Sequence, residues 1–316
     1  MSSVRFITTA SLCGASMGIG LFFGTKYERL KKGNKDHLTH LLHLTDTKAL
    51  FVPSVFASSS IPATTSTSMP ATFPQSQPVN RVSEIMKFGF PSLDQVRSFD
   101  NFVLSYDRRN RNAQWVFEHI KPEHVMKNEN IKRGKSEFLE DNIIHTFFRA
   151  TKNDFKNSGY DRGHLAAAAN HRHTQKAMDQ TFTLSNVSPQ VGEGFNRDAW
   201  NDLEKYVRAK ARQSRNVYCC TGPLYLPRRE NDGKVYVKYE VIGKNNVAVP
   251  THFFKVLLIE NNQGQFELMP FVMPNQPLPK DVKLKKYLVP LESIERAAGF
   301  LLFDKIPRNN IKIISG

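Results

Sequence analysis

An α+β fold with a mainly antiparallel sheet and flanking helices is the class this sequence predicts, and three observations carry it. Short runs rich in β-branched and aromatic residues recur between residues 101 and 260. Helical periodicity is confined to two segments that do not alternate with those runs. Beyond residue 80 no low-complexity break or internal repeat interrupts the chain, so residues 81–316 read as one domain.

The predicted strands are residues 101–106, 113–120, 216–221, 235–242 and 252–260. Between the second and third, residues 196–212 place Trp200, Leu203, Val207 and Ala211 three and four apart, the single apolar stripe of a helix. Asn196 stands where the N-cap of that helix is expected. Residues 291–298, with Ile294, predict a shorter helix. Trp115, Trp200 and the Phe-rich run 251–258 fall on core positions. Cys13, Cys219 and Cys220 cannot build a disulfide framework and show no C-x-x-C spacing for zinc, so Cys219 and Cys220 read as small buried hydrophobes.

Residues 1–27 carry Arg5 and Lys26 but no acidic side chain and are rich in Ser, Thr, Gly and apolar residues, which reads as a targeting segment. The uncharged stretch from Phe6 to Gly24 also suits a membrane anchor or a secretory signal. Thr8, Thr9, Ser11 and Ser16 weaken the first, and the shortage of disulfide cysteines weakens the second, so mitochondrial import is preferred. A basic stretch around Arg29, Lys31, Lys32 and Lys35 leads into residues 54–78, where 18 of 25 residues are Ser, Thr, Pro or Ala. Such a composition builds no packed core, so residues 28–80 read as a linker.

Charge narrows the function. The chain holds 44 Lys and Arg against 29 Asp and Glu, a net +15, and residues 81–316 alone hold 37 against 26. A basic folded part implies a polyanionic partner, either nucleic acid or an acidic membrane surface. Lys283, Lys285 and Lys286 read as solvated surface.

The tetrapeptide Asp161-Arg162-Gly163-His164 concentrates the chemistry. An imidazole titrates near pH ~6.5, so His164 can act as a base close to neutrality. Arg162 offers a planar fork of donors that suits phosphate oxygens. Gly163 is expected to act as a hinge through backbone angles closed to other residues, and Asp161 to hold a neighbour in place. The same four residues also suit an ordinary loop, and the residues downstream decide between the two. Asn186, Asn196 and Glu204 come within about forty residues and supply the oxygen groups a hard cation prefers. A zinc site using His164, His171 and His173 is the competing reading, weakened because the spacing is not that of a helical ligand pair.

Several separated stretches, in order, now carry a resemblance: 106–109, Ser158–His171, Leu184–Gln190, Asn196–Tyr206, Thr221–Tyr225 and Val249–Lys255. Together they resemble the non-specific DNA/RNA endonucleases with a ββα-metal site, over essentially all of residues 81–316. The resemblance implies that His164 is the general base, Asn196 the metal ligand, Glu204 the carboxylate steadying metal-bound water, Asn186 a catalytic neighbour of the base and Arg162 a phosphate contact. It implies Mg2+, with Mn2+ as a substitute, and products with 5′-phosphate and 3′-hydroxyl ends. DNA and RNA are the implied substrates and a homodimer the implied assembly, with no stable membrane partner for the mature domain. Its implied setting is the mitochondrial intermembrane space with release to the nucleus, in nucleic-acid turnover and apoptotic DNA fragmentation. The loop 191–195 is one residue longer than in vertebrate-like members, and an upstream arginine of the secreted bacterial relatives has Arg133 as its only candidate. A nucleic-acid-binding module that has lost catalysis is the alternative on the same scaffold.

Overall fold

The computed structural model describes residues 81–314. The targeting-segment and linker readings lie outside the described residues. Seven strands form the main sheet: β1 (Val96–Ser98), β2 (Phe102–Asp107), β3 (Asn112–Ile120), β6 (Asn216–Leu224), β7 (His252–Glu260), β8 (Phe266–Pro274) and β9 (Ile311–Ile313). A separate pair, β4 (Tyr160–His164) and β5 (Val187–Val191), lies between β3 and β6 in the chain. The main sheet runs β1-β2-β3-β6-β7-β8-β9, antiparallel throughout except for the parallel β8–β9 edge. This is the α+β class expected. Among the described residues no helix is long and apolar enough to cross a membrane.

The sheet is covered on both faces, which explains why its central strands are buried along almost their whole length. Successive side chains of a strand point to opposite faces. Phe253 and Leu257 of β7 therefore pack with Trp200, Leu203, Val207 and Ala211 of the helix Trp200–Gln213, while Phe254, Val256 and Leu258 pack with Leu291 and Ile294 of the helix Leu291–Ala298. The same alternation sends Cys219 to one core and Cys220 to the other, so the adjacent thiols face apart and are free. Burial pushes the Cys219 thiol up to about 12, leaving no thiolate at neutral pH.

One predicted strand needs correction, and one observed strand was not predicted. The run 235–242 is not one strand. It breaks into Val235–Tyr236, paired with Arg228–Arg229, and Val241–Ile242, paired with Val247–Ala248. Val235, Val237, Tyr239 and Val241 are exposed, so β propensity marked an extended ribbon without a core to hold it as a strand. Conversely, β8 was masked by Pro270 and Pro274. Its short outer partner pairs only as far as Leu268, so Pro270 leaves no ladder donor missing on that side.

Candidate active site

Strands β4 and β5 pair antiparallel, with His164 opposite Val187 and Tyr160 opposite Val191, and the helix Trp200–Gln213 follows them. This is a ββα unit. Arg162 and His164 lie two apart on β4 and so project from one face. Both line a cavity of about 570 Å³ together with Asn196 and Glu204. Four of the five expected site residues thus converge.

Gly163 works differently from the expected hinge. Its φ lies outside the left-handed region, and it sits within a regular strand. What matters is the missing Cβ, which would overlap the side chain of fully buried Gln190 on β5. Overpacking of this kind costs ~1–3 kcal/mol, so Gly163→Ala is expected to lower stability by about that amount. Gln190→Ala should recover most of the loss in the double variant, because the Gln190 amide has no hydrogen-bond partner among the described residues. Denaturation midpoints of the two single variants and the double variant test this; strictly additive losses would contradict it.

The His164 ring is buried between Phe138, at 5.4 Å between centroids, and the edge-on ring of Phe182 at 4.6 Å. Aromatic packing sets its orientation. Among the described residues its Nε2 is sealed without a hydrogen-bond partner, which leaves Nδ1 as the nitrogen open to the cavity. Burial, reinforced by the charge of Arg133, pushes the imidazole down to about 3, so it is neutral at neutral pH.

Asp161 is the organiser of the opposite wall. Its Oδ2 accepts from Asn196 Nδ2 at 2.9 Å and Arg197 Nε at 2.8 Å, and its Oδ1 accepts from Arg197 Nη2 at 2.6 Å. The hydrogen bond from Arg197, ahead of that from Asn196, holds the Asp161 carboxyl below the ordinary carboxylate range. An ionised carboxylate only accepts, so the Asn196 amide must turn its NH2 towards Asp161. Its carbonyl oxygen is then the end left available. Asn196 is also not the N-cap that its position suggested. Helical backbone begins at Phe195, after Gly194 at φ +78°, and the Gly194 N–H donates to the Asp198 carboxylate at 2.6 Å.

Glu204 faces the same cavity from the helix, and burial raises its pKa. Arg208 Nη1 stands 3.9 Å from its Oε2 and donates to Asn170 Oδ1 at 3.4 Å. Behind them the fully buried Glu118 of β3 accepts from Asn170 Nδ2 at 3.0 Å and pairs with His171 Nε2 at 3.0 Å. His171 is therefore turned into the core. Among the described residues no three His, Cys, Asp or Glu side chains group to hold a metal, and the zinc reading of His164, His171 and His173 has no geometry behind it.

Asn186 is the expected catalytic residue that does not reach the cavity. It is fully buried, its Oδ1 accepts from the Ala166 N–H at 2.9 Å, and its Nδ2 donates to the carbonyls of Ala166 and Thr181. It pins the turn that follows His164. Arg133 and Arg172, by contrast, do line the cavity, and Arg162 lies over the Phe138 ring at 4.4 Å. None of these three arginines has a carboxylate within 4.0 Å among the described residues, so the cavity carries uncompensated positive charge. Arg197, Asn201, Lys205 and Arg208 complete the wall. With Glu204 they recur at helical spacing, a polar stripe that the sequence displays beside the apolar one.

The donor set suits a hard cation. One amide oxygen is oriented by Asp161, one carboxylate shares the cavity, and no thiolate is near.

Comparison with known proteins places these residues in context. Residues 81–309 match the family model of the DNA/RNA non-specific endonucleases. Human mitochondrial endonuclease G is 56% identical over 223 residues, covering 71% of this chain and 74% of its own. The Caenorhabditis elegans mitochondrial endonuclease G is 52% identical over 234 residues, covering 74% and 76%. A crystal structure of an EndoG/EndoGI complex superposes with a TM-score of 0.74 at 55% identity, covering 78% of this chain and 98% of that one. With a basic ββα cavity and a family match across its folded part, the chain is an endonuclease and belongs to the DNA/RNA non-specific endonuclease family.

Proposed function

We propose that this endonuclease hydrolyses phosphodiester bonds of both DNA and RNA, without sequence preference, using a divalent cation for which Mg2+ is the natural choice and Mn2+ a substitute. The observation that carries this reading is the convergence of His164, Arg162, Asn196 and Glu204 on one cation-rich cavity. The Asn196 carbonyl oxygen would hold the cation, which when bound offsets the charge that develops on the scissile phosphate. His164, neutral and with Nδ1 facing the cavity, removes the proton of the attacking water. Arg162 meets the phosphate oxygens, and Glu204 orients the water on the leaving-group side. Arg133 and Arg172 add phosphate contacts, which position a strand without reading its bases. The products are 5′-phosphate and 3′-hydroxyl ends.

The experiment is digestion of plasmid DNA, single-stranded DNA and RNA by the full chain with Mg2+, with Mn2+ and with chelator. All three substrates should be cut with metal only, leaving DNA ends that a ligase joins without prior phosphorylation. Cleavage that survives chelation, or that is confined to one substrate, would overturn the reading. A purely binding module would need a disrupted site, and the presence of His164, Arg162, Asn196 and Glu204 on one cavity favours the enzyme reading.

The names of the relatives support a mitochondrial location, and we extend this to the intermembrane space with release to the nucleus, in nucleic-acid turnover and apoptotic DNA fragmentation. Fractionation of cells expressing the tagged chain, before and after a death stimulus, tests the location. The exposed apolar residues at every second position of 235–241 support a homodimer, for which light scattering should return twice the monomer mass.

A further inference from the structure

Two further recesses flank the central cavity and share residues with it: Arg133, Ala169 and Arg172 on one side, Asp161 and Arg162 on the other. Each thus adjoins the central cavity, which is the one that His164 lines. The recess beyond Arg162 has a volume of about 390 Å³ and is bounded by Lys152 and Lys156. Both lysines are exposed, and neither has a carboxylate within 4.0 Å among the described residues. Nearby acids are already engaged. Asp161 is bonded to Arg197 and Asn196, Asp154 is buried against Thr151 and Asn245, and Glu240 accepts from the Tyr160 hydroxyl at 2.7 Å. Two unpaired ammonium groups share a recess with the Arg162 guanidinium, which the proposed function sets against the scissile phosphate, and a nucleic-acid strand carries a negative charge at every step. Lysine is a mobile point charge, which suits contact with phosphate at any sequence.

We propose that Lys152 and Lys156 form a phosphate subsite for the strand that continues past the cleavage point on the Arg162 side. The subsite rests on the nuclease reading of the central cavity and adds to it a dependence on substrate length in one direction. Neither lysine lines the central cavity, so their loss falls on KM and leaves kcat.

The test compares the full chain with its K152A/K156A and K152R/K156R variants on a long single-stranded oligonucleotide and on a dinucleotide. For K152A/K156A, KM for the long substrate should rise on the order of tenfold, and the slope of log kcat/KM against log salt should become shallower by about 1.4, at ~0.7 per single-strand phosphate contact. Cleavage of the dinucleotide should not change, and the arginine pair should behave as wild type. Equal losses on both substrates, or an unchanged salt slope, would overturn the subsite. Fluorescence anisotropy of the long oligonucleotide in chelator separates the two readings. Lysine-dependent binding without any cleavage would sink the nuclease chemistry and keep the subsite, whereas cleavage with lysine-independent binding would sink the subsite alone.

Discussion

His164→Ala lowers kcat/KM on DNA by about a hundredfold to ten-thousandfold, the usual contribution of a general base, while nucleic-acid binding is retained. The expectation rests on placement: the ring is held by Phe138 and Phe182, and Nδ1 opens to the cavity that Arg162, Asn196 and Glu204 share. The pH profile of the wild type gives an independent check. A base works only while unprotonated, and burial with Arg133 pushes this imidazole from its ordinary value down to about 3. The acid limb of kcat/KM, which reports the free enzyme, should therefore lie well below the ~6.5 of a free histidine. Activity should persist as the pH falls from neutrality through that value. A variant that keeps activity within about tenfold of wild type would remove His164 from the role, whereas an acid limb centred near ~6.5 that disappears with the ring would keep the role and overturn the depressed titration.

Asp161→Ala is expected to weaken the affinity for metal rather than the chemistry itself. The carboxylate accepts from the Asn196 NH2, so that the carbonyl oxygen is the end left to be presented. Partners of this kind typically cost ~10–100-fold in metal affinity when removed. The metal concentration for half-maximal cleavage should rise by about that factor, and saturating metal should restore most of the rate. The same substitution also frees the exposed Arg197, whose bidentate pair with Asp161 would otherwise compete for phosphate. An unchanged metal dependence would show that Asn196 is oriented by something other than Asp161.

Much of this architecture is legible in the residues because it depends on local pattern. The run 252–260 is apolar on both faces and is found as the strand His252–Glu260, and residues 291–298 form the helix Leu291–Ala298. Asp161–His164 is legible as a chemical cluster, but its conformation is not. Arg162 and His164 share a face because β4 is a strand, and the strand is set by pairing with β5, more than twenty residues later. The placement of Asn186 is hidden for the same reason. Its neighbourhood in sequence suggests chemistry, and only the fold shows its amide consumed by main-chain groups of 166 and 181. Arg133 and Arg172 enter the cavity through tertiary placement that no spacing announces.

The braces of the site tie it to the core. The residues that line the cavity lie between 133 and 208, yet Asn170 and His171 are held by Glu118 of β3, and Trp200 packs over Lys255 of β7, whose Nζ reaches Thr221 of β6 at 2.6 Å. Those anchors meet only where β3, β6 and β7, neighbours in the sheet but spread over residues 112–260 of the chain, are paired. The geometry of the site therefore depends on the paired central strands, and opening the sheet dismantles the site together with the core.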